Sequence, residues 1–266
     1  MNCIVCESPM SFYFSKYFGQ YELNNVDYWL CPQCGFTASK THFDLAQAEW
    51  ETLNINFHNA HNLREDDPYN RHQRYFNQAQ MLYLMQRHGL IPAKKWLDWG
   101  SGEGDVSLQL KEHFDLKLRN FDHYIKPRIN HIRKSELENM KAACNLVMCT
   151  AVFEHLRDGQ ILNEIESFVS KAGCFAIHTL VRGQIPKDPE WMYLLPVHCA
   201  FFTNKSMQML MDRWGYTCSV YNEYAKMWVF FRHKKPSEIG TSVSYLNIML
   251  GWEYLHFKTG FMDYWP

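Results

Sequence analysis

The stretch Lys95-Trp-Leu-Asp-Trp-Gly-Ser-Gly-Glu-Gly104 limits what this chain can fold into more than any other part of it. An apolar run ends in Asp98 and passes at once into glycines at 100, 102 and 104. The next residues, Asp105-Val-Ser-Leu-Gln-Leu-Lys111, read as a helix. A strand that breaks into a glycine-rich turn before a helix N-terminus leaves bare backbone N–H groups for a ligand to approach.

The following segments keep the same rhythm. Lys117-Leu-Lys-Leu-Arg-Asn-Phe121 alternates like a second strand and ends at Asp122, 22 residues past Gly100. A carboxylate there is placed to hold ribose hydroxyls. Asn145-Leu-Val-Met-Cys-Thr150 is a short apolar run of the kind that forms a buried parallel strand. Apolar residues at 161, 162, 165, 168 and 169 predict a helix from Ile161 to Ser170, with Lys171-Ala-Gly173 as its stop. Cys174 to Leu180 predicts a fifth strand and Asn204 to Trp214 a helix stopped by Gly215. Thr217 to Tyr224 and Lys226 to Arg232 predict two strands joined by a tight turn. The expected fold is α/β, with a mostly parallel sheet closed by a β-hairpin in which one strand runs against the rest.

A second signal stands at the front. Cys3-x-x-Cys6 is followed by Cys31-Pro-Gln-Cys34-Gly35. Two C-x-x-C pairs form the usual tetrahedral zinc arrangement, so Cys3, Cys6, Cys31 and Cys34 are the expected metal ligands of a small ribbon. A four-sulfur site has no open position, which makes the zinc structural. The rivals are a disulfide scaffold and a redox dithiol. No basic segment followed by an apolar one opens the chain, so a cytoplasmic, reducing setting is expected and disulfides are disfavoured. The other five cysteines lie in or beside apolar runs and read as small core residues.

These signals divide the chain into a zinc-binding ribbon (1–41), a helical bridge and cofactor-side cap (42–90), a cofactor-binding domain (91–235) and an aromatic C-terminal tail (236–266). The ribbon's core is expected to be separate from that of the sheet. In the tail, 236–244 reads as a linker, and the residues from Tyr245 to Lys258 are too apolar to stay solvated. They are expected to pack on their own domain, with a homodimer contact as the alternative. A formal net charge of -1 offers no basic field for nucleic acid or an anionic membrane, and no apolar run is long enough to span a bilayer.

The spacing D-x-G-x-G-x-G (Asp98, Gly100, Gly102, Gly104) departs from the G-x-G-x-x-G of dinucleotide folds and resembles motif I of the class I S-adenosylmethionine-dependent methyltransferases. Phe153-Glu-His-Leu156 is similar to the loop after their fourth strand, although Asn145 stands where Asp is usual. With the cysteine pairs, Phe121-Asp-His-Tyr124, and the Trp191 to Phe202 segment containing Pro196-Val-His198, residues 1–233 resemble the Methyltransferase-23-like group with an N-terminal zinc ribbon. The resemblance implies a Rossmann-like sheet and S-adenosyl-L-methionine as cofactor. It assigns cofactor contacts to Asp98, Gly100, Ser101, Gly102, Asp122, His123, Thr150, Ala151 and Glu154. Tyr69, Arg71 and Arg74, in the element before motif I, become candidates to meet the methionine carboxylate. It also implies a small-molecule acceptor, a sugar or secondary metabolite.

Methyl transfer needs a collinear acceptor, methyl and sulfur, and removal of a proton from the acceptor. Of the histidines expected at the carboxyl ends of strands, His178 lies in an apolar run and reads as structural. His155 and His198 are the catalytic candidates, with His198 favoured because its loop is rich in Trp and Tyr. Two rival functions stay open: a ribosomal RNA base methyltransferase that grips RNA with its ribbon, and a catalytically inactive methyltransferase-like scaffold.

Overall fold

A computed structural model describes residues 1–21, 23–62, 68–124 and 130–263, without the side chains of residues 61, 62 and 68–71. The chain opens with a cysteine turn and an antiparallel hairpin, β1 (Ser11–Gln20) and β2 (Leu23–Leu30), followed by β3 (Thr37–Ser39). Helices α1 (Lys40–Asp44), α2 (Gln47–Asn62) and α3 (Pro68–Arg87) lead to β4 (Trp96–Trp99), α4 (Asp105–Phe114) and β5 (Arg119–Phe121). Next come α5 (Lys134–Glu138), β6 (Cys144–Thr150), a single 3₁₀ turn (Phe153–His155), α6 (Gly159–Ser167) and β7 (Val169–His178). The chain continues through β8 (Val181–Arg182), β9 (Ala200–Thr203), α7 (Asn204–Trp214), β10 (Cys218–Asn222) and β11 (Met227–Phe231). Helix α8 (Pro236–Leu250) and strand β12 (His256–Thr259) close it.

The main sheet runs β12-β10-β11-β7-β6-β4-β5. Its β7-β6-β4-β5 half is parallel, while β11 pairs antiparallel with both β7 and β10, and β12 antiparallel with β10. Alternation along the strands sorts side chains into two cores. Leu146 and Met148 of β6 face a core with Met81, Leu82 and Met85 of α3, Leu110 of α4 and Ile239 of α8. Val147 and Cys149 face the other, with Leu162 and Ile165 of α6 and Met207 and Leu210 of α7. No helix among the described residues is long and apolar enough to cross a membrane.

Three expectations change. Lys171-Ala-Gly173 does not stop a helix: α6 closes at Phe168 and these residues lie inside β7, where a Cβ on Gly173 would sit 2.5 Å from the Cys144 carbonyl. That glycine serves close strand packing at a pairing irregularity between β6 and β7.

The ribbon's core is not separate. Strand β3 pairs with β9, so the ribbon belongs to a second sheet, β1-β2-β3-β9-β8, whose last strands come from the far end of the sequence. Thr203 Oγ1 donates to the Cys34 carbonyl at 2.6 Å, and a Cβ on Gly159 at the start of α6 would lie 2.8 Å from the Ile4 carbonyl. Cys3, Cys31 and Cys34 are buried in the same cluster as Phe175 and Trp214.

The tail packs on its own domain, as expected, but 236–244 is not a linker. Residues from Pro236 form α8, and β12 extends the sheet edge, so two strands rather than one run against the parallel direction. Phe261 is 1% exposed and stacks on Trp228 with centroids 5.4 Å apart. The Trp228 indole N–H donates to the Met262 carbonyl. Removing this ring leaves a cavity under the sheet edge. Phe261→Ala should therefore destabilise the protein by about 3–5 kcal/mol in urea unfolding; a loss below about 1 kcal/mol would show the tail to be peripheral.

Candidate functional site

The end of β4 makes a cradle. Gly100, Gly102 and Gly104 all have positive φ (73°, 54° and 87°), a region open to glycine at little cost. They differ in what surrounds them. A Cβ at Gly100 would meet Val152 at 2.5 Å, and one at Gly104 would meet the Asn120 amide at 2.3 Å. These two glycines allow close packing: Asn120 Nδ2 donates to Ser107 Oγ, which donates to the Gly104 carbonyl. At Gly102 a Cβ would meet nothing within 4 Å, so its backbone faces open space.

Asp122, just past β5, reaches this turn. Its Oδ2 accepts the Gly102 N–H at 2.9 Å and its Oδ1 the Tyr124 N–H at 2.8 Å. Each carboxylate oxygen has further lone-pair capacity for a ribose hydroxyl. His131 was not foreseen from the sequence: its Nε2 lies 2.9 Å from the Gly102 carbonyl and 3.5 Å from Ser101 Oγ. His123 is exposed, packed edge-on against Phe121 and Trp99.

Asp98 is 2% exposed, and its Oδ1 is buried with no hydrogen-bond partner among the described residues. Desolvation, with the Asp122 and Asp105 charges adding to it, pushes its pKa up to about 8. A buried acid beside an open glycine backbone fits the cationic end of S-adenosylmethionine. An acid raised in this way favours the protonated fold, so stability should fall as pH rises from the ordinary carboxylate range toward 8. A cation beside it should reverse the effect. Binding of S-adenosylmethionine near pH 7 is expected to release up to about one proton, read as a buffer-dependent calorimetric heat that Asp98→Asn abolishes. Equal heats in buffers of different ionisation enthalpy would contradict this.

The end of β6 supplies the second wall. Ala151 is exposed and holds φ 55°, a strained position for a residue with a Cβ. Thr150 is half-buried beside it, and the Ala151 N–H donates to the His178 carbonyl. The 3₁₀ turn then carries Glu154 and His155 inward. Glu154 is 3% exposed; its Oε2 accepts from Thr179 Oγ1 at 3.0 Å and its Oε1 from the Tyr193 hydroxyl at 2.9 Å. His198 Nδ1 lies 2.9 Å from the Tyr193 carbonyl, and its ring centroid is 5.0 Å from that of His155. Burial lowers His155 to about 3 and His198 to about 4, so both rings are neutral near pH 7.

Thus His155, His198 and Glu154 come together, and Gly100 packs on Val152 at the start of the same turn. His178 Nδ1 lies 2.5 Å from the Lys226 carbonyl. Asn145 donates to the Ala93 carbonyl at the opposite end of β6, away from the cradle. Arg74 lies over Tyr75, with its Nε buried and unpartnered among the described residues; Tyr69 and Arg71 fall outside the described side chains.

Sequence reasoning missed Tyr193, Thr179, His42 and His58, whose ring centroid lies 5.7 Å from that of His155; all lie far from Glu154 along the chain. His42 spans Ser39 Oγ at 2.6 Å and the Pro196 carbonyl at 2.8 Å, tying the ribbon's exit to the loop that carries His198. Burial lowers its pKa to about 4, which suits a fixed, uncharged strut. Beside this loop lies a cavity of about 310 Å³ whose lining includes Lys16, Tyr21, Phe57 and Leu194.

At the ribbon, Cys3 and Cys34 sulfurs are 3.6 Å apart, Cys6 and Cys31 3.4 Å, and Cys6 and Cys34 3.6 Å. A tetrahedron with ~2.3 Å zinc–sulfur bonds has edges of about 3.8 Å, so the four thiols fit a zinc ion closely.

A family model described as a methyltransferase domain matches residues 69–219. Among solved structures, the plantazolicin methyltransferase BpumL, in complex with a pentazolic desmethylPZN analog and SAH, is similar over 82% of this chain and 94% of its own, at 15% identity and a TM-score of 0.46. The plantazolicin methyltransferase BamL, in complex with a triazolic analog and SAH, is similar over 76% and 88%, at 16% identity and a TM-score of 0.47. A SAM-dependent methyltransferase from Thermotoga maritima is similar over 61% and 95%, at 13% identity and a TM-score of 0.39. No curated protein matches.

Proposed function

The chain belongs to the methyltransferase domain family, and we propose that it methylates a small-molecule acceptor at the junction of the glycine cradle and the Glu154-His155-His198 cluster. The observation that carries this reading is their adjacency: one short segment, 150–155, lines the cradle with Val152 and delivers Glu154 and His155 to the cluster. When bound, S-adenosylmethionine supplies a methyl group activated by its sulfonium centre.

In this reading the backbone at Gly102 gives the cofactor room, Asp122 holds the ribose, and Asp98 faces the cationic end. Ser101, His123, Thr150 and Ala151 border the same space. For an acceptor to take up that methyl group, its own proton must leave. His198 is built to promote that departure, since its Nδ1–H is committed to the Tyr193 carbonyl and Nε2 keeps its lone pair. Glu154, held by Thr179 and Tyr193, sets the field around both histidines. The neighbouring cavity, with aromatic walls and Lys16, is sized for a small acceptor such as a sugar or secondary metabolite.

The deciding experiment incubates the protein with methyl-labelled S-adenosylmethionine and either a small-molecule extract or total RNA. Label is expected in the small-molecule fraction and absent from RNA. Label in RNA would favour a nucleic-acid acceptor, and no transfer despite tight cofactor binding would favour an inactive scaffold.

A further inference from the structure

The histidine pair has a property that a simple proton acceptor does not require. One ligand atom from each of Glu154, His155 and His198 lies within 4.8 Å of the others, close to what a shared cation needs once the side chains draw in. His155 Nδ1 is buried with no hydrogen-bond partner among the described residues, an orphan that a cation would satisfy. His198 presents Nε2, because Nδ1 is engaged by the Tyr193 carbonyl. Metal-binding imidazoles usually donate their second N–H to a carbonyl or carboxylate, and ligating carboxylates are themselves hydrogen-bonded. Both supports are already in place here, with Thr179 and Tyr193 on Glu154.

We infer that Glu154, His155 and His198 form a second metal site, distinct from the cysteine ribbon, for a divalent first-row cation that receives an oxygen of the acceptor. Imidazole and carboxylate donors suit zinc, iron and related ions. Three protein ligands leave a coordination position open, as in catalytic rather than structural sites. The cation's catalytic use rests on the methyltransferase reading and deepens it: the histidines act on the acceptor through the ion they hold, which lowers the pKa of a bound hydroxyl. The site itself stands apart from that reading.

The test uses the full chain carrying one zinc on its cysteines, titrated with cobalt(II). One further equivalent is expected to bind, with weak visible bands and no thiolate charge-transfer absorption. His155→Gln and His198→Gln should abolish it. Tyr193→Phe and Thr179→Val should weaken it by about 10-fold or more, the usual effect of losing an outer support. Circular dichroism and S-adenosylmethionine affinity, measured on every variant, report whether fold and cradle survive. No second equivalent of cobalt, or one that survives both histidine substitutions, would overturn the site. Cobalt binding without cofactor binding would instead sink the methyltransferase reading and leave the metal site standing.

Discussion

Gly102→Val is expected to remove most of the protein's affinity for S-adenosylmethionine while leaving the fold intact. A Cβ at this position meets nothing within 4 Å, so the new side chain intrudes only on the space assigned to the cofactor. Placing an L-residue at φ 54° costs roughly 1–2 kcal/mol, a tolerable fraction of the stability of a domain this size. Displacing a ligand by one isopropyl group costs about 1–3 kcal/mol where the cradle can give and more where it cannot. The dissociation constant should therefore rise by roughly 5- to 150-fold or beyond. Gly104→Val makes the contrasting case. Its Cβ would sit 2.3 Å from the buried Asn120 amide, so it should destabilise the start of α4 and lower the unfolding midpoint as well. Calorimetry and urea unfolding of both variants separate the effects. An unchanged affinity in Gly102→Val would remove the cofactor from this turn.

The other large effect belongs to the ribbon. Zinc held by Cys3, Cys6, Cys31 and Cys34 would contribute on the order of 10 kcal/mol to local folding, as in zinc-finger peptides. Cys31→Ser should lose the metal and unfold the hairpin of β1 and β2. The consequence travels further than a detached module would allow, because β3 pairs with β9 and Thr203 holds the Cys34 carbonyl. Hydrogen exchange is expected to lose protection at residues 11–39 and also at 196–203. It should persist in β4 and β6, which pair with each other and with β5 and β7 rather than with the ribbon. Methyl transfer should fall with it, since the affected loop carries His198. Retained protection at 200–203 in metal-free protein would show that the ribbon and the acceptor side are independent.

Much of the site could be read in the sequence because its signals are local. Glycines at 100, 102 and 104 must adopt conformations that other residues resist, and Asp98 and Asp122 sit at fixed distances from them at strand ends. Two C-x-x-C pairs likewise carry their geometry within four residues each. The apolar run from Leu146 to Cys149 was equally plain, because a strand with two buried faces needs apolar residues throughout.

Long-range placement was not legible. Gly173 follows a Lys after an amphipathic stretch and imitates a helix stop, yet the Cys144 carbonyl pressing on it makes it a strand residue. The segment 236–244 is rich in Ser and Gly like a linker. It becomes helical because Ile239, Val243 and Leu246 fall on one face and find a core to cover. By itself, then, the sequence determined the glycine turn, the acids beside it, the paired cysteines and the succession of parallel strands along the chain, all of which rest on constraints between near neighbours. Only the tertiary structure decided that the ribbon shares a sheet with the acceptor loop. It alone placed Tyr193 and Thr179 on Glu154 and brought His155 against His198. Those pairings join residues tens of positions apart, and what selects them is the burial of polar groups that must find partners once water is gone.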